Sequence, residues 1–150
     1  MSSPLPQPNP SFVPGVVSRR RHILIVDDNA SIRTGLCQVF NGERDFEVCG
    51  EAENGREAIR KAQALRPDLI ILDFAMPVMN GLDAARGLKK LMPSVPLLMY
   101  SAFGDKYVEQ QAGFVGIAAL ISKSEPASSL VNKARILLRE TTDSYEKTDL

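Results

Sequence analysis

The sequence carries no surplus charge of either sign, since 18 Lys and Arg balance 18 Asp and Glu over 150 residues. A phosphate-backbone binder relies on a positive excess to release counterions, so no direct nucleic-acid binding by this chain is expected. Cysteine is scarce too. Cys37 and Cys49 are neither a closely spaced ligand pair nor accompanied by the Cys and His that a zinc site needs, and both read as small buried thiols in a reducing compartment. No apolar run approaches the ~20 residues that span a bilayer, and the N-terminus lacks the basic-then-apolar order of a secretion signal. These absences predict a soluble cytoplasmic protein without membrane contact. Neither G-x-G-x-x-G after the first apolar run nor G-x-x-x-x-G-K-[ST] occurs, which removes support for dinucleotide, flavin and P-loop nucleotide binding.

What is present fits one domain. A chain of this length buries roughly 68–70% of its unfolded surface and needs neither metal nor disulfides to fold. Residues 1–21 hold Pro4, Pro6, Pro8, Pro10 and Pro14 and end in Arg19-Arg20-Arg21. With so little apolar surface to offset the entropy of ordering, this stretch reads as a flexible Pro-rich tail. From His22 onward, short apolar runs alternate with helical-period segments. The runs are Ile23–Val26, Phe46–Cys49, Leu69–Leu72, Val95–Tyr100 and Ile117–Ile121. Between them, Ile32, Leu36 and Val39-Phe40, then Ala58, Ile59, Ala62 and Leu65, then Leu82, Ala85, Leu88 and Leu91 recur at helical spacing. A weaker helix is expected over 105–115 and a stronger one over 126–140, leaving 141–150 as a polar C-terminal tail. The pattern is (βα)5. Right-handed crossovers then give an α/β, doubly wound parallel five-stranded sheet, most simply in the flavodoxin-like order 2-1-3-4-5, over residues 22–140.

Ligands of such sheets bind beyond the carboxyl ends of the strands. There the first strand ends in Asp27-Asp28, the third in Asp73, the fourth in Ser101-Ala102 and the fifth in Lys123. Singly, each has an ordinary structural reading: Asp28 as a helix cap, Asp73 as a turn opener before Pro77, Ser101 bonded to local backbone, Lys123 solvated. Together they bring an acidic cluster, a hydroxyl and an ammonium to one crevice. Two or three carboxylates suit a hard Mg²⁺ ion. A carboxylate can also act as the nucleophile that takes a phosphoryl group while cations neutralise the transferring oxygens.

The segment Ile23–Asp28, the run Ile71-Leu72-Asp73-Phe74-Ala75-Met76-Pro77-Val78-Met79-Asn80-Gly81, the Ser101-Ala102 pair and Lys123 resemble the receiver domain of bacterial two-component response regulators. The phrases Glu51–Gly55 and Met79–Leu82 resemble most the subgroup that carries a C-terminal helix-turn-helix. The resemblance implies a phosphorylation-controlled signalling switch, with Asp73 as phosphoacceptor for a sensor histidine kinase or phosphotransfer protein. It implies Mg²⁺ held by Asp28, Asp73 and the Ala75 backbone carbonyl, with Asp27 assisting through a water. Ser101 and Lys123 would bind phosphoryl oxygens, and small Ala102 would leave room for the group to enter. Catalysis would extend only to the domain's own phosphorylation and dephosphorylation, and a homodimer through α4-β5-α5 would be one route for output.

The sequence departs from the family at two places. Leu120 stands where Tyr or Phe usually serves as a rotamer switch with Ser101, and Ser124 replaces the proline that usually follows the lysine. Phe103 and Tyr107 are expected to supply the missing aromatic contact. Two readings compete with an autonomous switch: the receiver part of a DNA-binding regulator, and a phosphorylation-independent pseudo-receiver. A haloacid-dehalogenase-type phosphatase needs a second acid two residues after its nucleophile, where this chain has Ala75.

Overall fold

The computed structural model describes residues 19–102 and 106–148. Five strands, β1 (Arg21–Val26), β2 (Phe46–Ala52), β3 (Leu69–Asp73), β4 (Leu97–Ser101) and β5 (Ala119–Ser122), alternate with α1 (Ala30–Asn41), α2 (Gly55–Leu65), α3 (Gly81–Leu91), α4 (Lys106–Val115) and α5 (Ala127–Thr148). All pairings are parallel, in the order β2-β1-β3-β4-β5. The expected doubly wound fold is the observed one. Helix α5 continues through residues 141–148, so most of the segment expected as a tail extends the last helix.

Helices on both faces explain why the strands read as unbroken apolar runs rather than alternating ones. Ile23, Ile25, Ile71, Leu98 and Tyr100 face Leu36 and Phe40 of α1 and Leu130 and Ala134 of α5. Leu24, Val26, Ile70 and Leu72 face Ala58 and Ala62 of α2 and Ala84, Ala85 and Leu88 of α3. Asn29, Asn54 and Asn80 start the first three helices, each side-chain oxygen accepting the N–H three residues on. Asn29, one residue after the expected Asp28, therefore caps α1.

The strand limits differ from the apolar runs for local reasons. Pro96 has no N–H for the ladder, and β4 begins at Leu97. In β2, Cys49 is skipped between the pairs Ile23–Val48 and Leu24–Gly50, and its thiol donates to the Ile23 carbonyl at 3.5 Å. The bulge leaves Cys49 half-buried, and Cys37 on α1 is half-buried as well. The expectation of two buried thiols is corrected accordingly. Burial, and then the Glu51 carboxylate, push the Cys37 thiol up to about 11, while burial raises Cys49. Both thiols are poor nucleophiles at neutral pH.

Candidate phosphorylation and metal site

The carboxyl ends of β1 and β3 lie side by side because Val26 pairs with Leu72. Each strand's next residue is an aspartate, so Asp27 and Asp73 emerge together, Asp27 with no exposed surface and Asp73 with 3%. Exposed Asp28 completes a set whose carboxylate oxygens lie within 4.8 Å of one another. Lys123 approaches from β5, its Nζ 3.1 Å from Asp73 Oδ1 and 3.4 Å from Asp27 Oδ2. Its backbone is pinned to β4, since the Lys123 N–H donates to the Ser101 carbonyl at 2.8 Å. Ser101 is buried at the end of β4 and Ala102 beside it is exposed. Asp27, Asp28, Asp73, Ser101 and Lys123 thus reach one edge as expected. The Lys123–Ser124 bond is trans, in keeping with serine in place of proline.

The electrostatics are those of a site short of positive charge. Burial first, and the neighbouring Asp27 charge second, push the Asp73 carboxyl up to about 6 against the opposing pull of Lys123. Three oxygen donors, one half-buried ammonium and mutual repulsion form a donor set suited to a small hard cation. Carboxylate oxygens within 4.8 Å of one another are close to the roughly 4 Å that separates opposite ligands of one octahedral ion, and Asp28 is exposed at the mouth of the site. The Ala75 N–H donates to Asp73 Oδ1 at 3.3 Å, so the backbone at 75 sits directly against the carboxylate.

Leu120 packs in a small apolar cluster with Leu82, Met99 and Ala112. Tyr107 is 63% exposed and does not fill the aromatic position expected of it, and Phe103 lies outside the described residues. The aromatic group that does reach the site is Tyr100, which the sequence pattern absorbed into an apolar strand. Its hydroxyl donates to Asp27 Oδ2, and Lys123 Nζ lies 4.9 Å from its ring centre. Arg33 is a second residue missed: it donates to the Asp27 carbonyl at 2.7 Å and to Glu51 at 3.0 Å, fixing the turn after β1.

The loop after Asp73 carries backbone strain. Val78 has φ +69° and is 73% exposed, a conformation that a β-branched residue adopts at a penalty of about 1–3 kcal/mol. Val78→Gly relieves that strain but adds backbone entropy to the unfolded chain. A net gain of about 1 kcal/mol is expected, a melting temperature raised by roughly 3 °C. A lower melting temperature in a thermal scan would refute the strain at this residue.

A family model for the response regulator receiver domain matches residues 23–135. The protein-glutamate methylesterase/protein-glutamine glutaminase of Pyrococcus abyssi is 39% identical over 128 residues, 85% of this chain and 33% of the relative. The response regulator protein VraR of Staphylococcus aureus is 34% identical over 113 residues, 75% of this chain and 54% of the relative. Among solved structures, the response regulator domain of Thermotoga maritima CheB superimposes with a TM-score of 0.76 at 30% identity, covering 81% of this chain and 98% of that one. The chain belongs to the response regulator receiver domain family, whose members are phosphorylation-controlled signalling modules of two-component systems. It spans between a third and about half of the length of these curated relatives. Among the described residues, no helix is long and apolar enough to cross a membrane.

Proposed function

We propose that Asp73 is the phosphoacceptor and that a phosphohistidine on a sensor kinase or phosphotransfer protein is the donor. The observation that carries this reading is the buried Asp73 carboxylate held 3.1 Å from Lys123 Nζ within a cluster of three acids. An Asp73 oxygen attacks phosphorus, the P–N bond breaks, and the imidazole leaves and takes a proton. Lys123 exchanges its contact with Asp73 for one with a phosphoryl oxygen. Ser101 donates its hydroxyl to another, and exposed Ala102 leaves the approach open. Mg²⁺, when bound, neutralises charge on the transferring oxygens; Asp28, Asp73 and the Ala75 carbonyl would hold it, with Asp27 acting through a water.

Movement of Ser101 reaches Leu120 through the β4–β5 pair Met99–Leu120, and the face α4-β5-α5 carries the signal to an output partner or a second copy. Exposed Tyr107 and Phe114 on α4, at 63% and 86%, support an association surface there. With Leu in place of an aromatic ring at 120, fewer contacts distinguish the two states and the switch is shallow. We place the protein in the cytoplasm, in keeping with its two free thiols. Acetyl phosphate treatment followed by intact-mass measurement tests the chemistry. One added phosphoryl group that requires Mg²⁺ is expected; uptake unaffected by a chelator would overturn the metal's part, and no uptake would overturn the reading.

A further inference from the structure

Tyr100 is 4% exposed and lies on the face of β4 packed against α1 and α5, among aliphatic neighbours such as Ile71 and Leu98. Filling that space requires an apolar group of the right volume, which phenylalanine would supply as well. The hydroxyl is therefore the part that packing does not explain. It extends to the carboxyl edge of the sheet and donates to Asp27 Oδ2, 73 residues earlier in the chain.

Asp27 has no exposed surface, and its donors can be followed oxygen by oxygen. Oδ1 accepts the Asn29 N–H at 2.8 Å. Oδ2 accepts from Tyr100 and from Lys123 at 3.4 Å. Lys123 is shared with Asp73 and, on the reading above, turns to the phosphoryl group when that group arrives. Tyr100 is then the donor that still fixes Oδ2. Its ring also lies 4.9 Å from the Lys123 ammonium, giving the lysine an attractive resting place between its two partners.

We propose that Tyr100 is a positioning residue for the metal site: its hydroxyl holds the Asp27 carboxylate in the orientation that cation binding requires, whether or not Lys123 is engaged with Asp27. The proposal rests on the reading of Asp27, Asp28 and Asp73 as a Mg²⁺ site. Outer hydrogen-bond partners of metal sites are worth roughly 10–100-fold in affinity, and Tyr100, which acts through Asp27 and its water, belongs at the lower end of that range.

Tyr100→Phe keeps the ring and removes only the donor. Calorimetric titration of the whole chain with Mg²⁺ is expected to give a dissociation constant raised roughly tenfold over wild type. In acetyl phosphate reactions, the Mg²⁺ concentration for half-maximal rate should rise by the same factor, while the rate at saturating Mg²⁺ stays within about twofold. A purely structural role would lower the melting temperature and leave this split unmoved. The comparison is repeated in an Asp27→Asn background, where the buried charge is gone and loss of the hydroxyl is better tolerated. There the Tyr100→Phe effect on Mg²⁺ affinity should vanish. Equal affinity of wild type and Tyr100→Phe, or a loss that persists undiminished beside Asp27→Asn, overturns the proposal alone. A wild-type chain that binds no Mg²⁺ overturns the metal reading and this proposal with it.

Discussion

Asp73→Asn is expected to take up no phosphoryl group from acetyl phosphate and, at pH 8 without divalent cations, to melt several degrees above the wild-type chain. The second effect follows from the carboxyl's raised ionisation, about 6 against an ordinary value near 4, caused first by burial and then by Asp27. A raised value in the folded state means that the folded chain binds this proton more tightly than the unfolded one. The stability it contributes is complete below about pH 4, is lost as pH rises through 6, and is absent at pH 8. At roughly 1.4 kcal/mol per pH unit, the ionised Asp73 weakens the fold on the order of 3 kcal/mol. Asparagine has the same shape, carries no charge, and its amide oxygen still accepts from Lys123. The gap between variant and wild type should close as pH falls toward 4, where both side chains are neutral. Millimolar Mg²⁺ should narrow or reverse it, because a cation that binds only the folded wild type stabilises it by mass action. Melting curves at pH 4 and pH 8, with chelator and with Mg²⁺, decide the matter. An Asp73→Asn variant less stable than wild type at pH 8 in chelator removes the charge-repulsion account, and phosphoryl uptake by that variant removes Asp73 as acceptor.

The carboxylates and Lys123 were legible in the sequence because each stands at the end of an apolar run, and a parallel sheet delivers strand ends to one edge. The order of the strands was legible as the simplest doubly wound arrangement that right-handed crossovers with helices on both faces allow. Tyr100 was not legible for a specific reason: within Val95–Tyr100 it reads as one more apolar strand residue. Its hydroxyl matters only once β4 lies beside β3 and a ring's length carries it across to Asp27. The expected role of Tyr107 fails on the same kind of information, since helical spacing does not say that α4 buries only Val108 and Ala112 and turns Tyr107 outward. Cys49 escaped because a bulge depends on the register with β1, a property of two strands that neither sequence carries alone. Leu120 is a different case: its departure from the family was visible in the sequence, and its packing with Met99, Leu82 and Ala112 depends on the three-dimensional neighbours.

Gly81→Ala is expected to destabilise the domain by about 3 kcal/mol and to slow phosphoryl uptake at least tenfold even under conditions where the variant is folded. Helix propensity alone predicts the opposite sign, a gain of about 1 kcal/mol for alanine over glycine inside a helix. The surroundings decide otherwise. A methyl group at Gly81 would lie 2.3 Å from the Asp73 carbonyl oxygen and 2.9 Å from Phe74 Cα, both backbone atoms. No side-chain rotation relieves such a contact, so the start of α3 or the end of β3 must move. The first is tied down by the Gly81 N–H donating to the Phe74 carbonyl at 2.8 Å and by Asn80 capping the helix. It is also held by burial of Leu82, Ala84, Ala85 and Leu88 on α3. The second carries Asp73 itself. Overpacking against a fixed backbone typically costs about 1–3 kcal/mol, and a 2.3 Å approach to a backbone oxygen puts this site at the top of that range, with no propensity gain realised where the first helical residue must shift. Displacement of Asp73 relative to Lys123 then disturbs a contact of 3.1 Å on which the transfer geometry depends. Gly35→Ala on α1 is the matched control, because a methyl group there meets nothing within 4 Å, and it should raise stability by up to about 1 kcal/mol. Urea unfolding of both variants, with phosphoryl uptake measured well below the transition, separates the two effects. If Gly81→Ala proves as stable as Gly35→Ala, the close approach of α3 to the strand end that bears Asp73 is wrong, and with it the account of how that carboxylate is held in place.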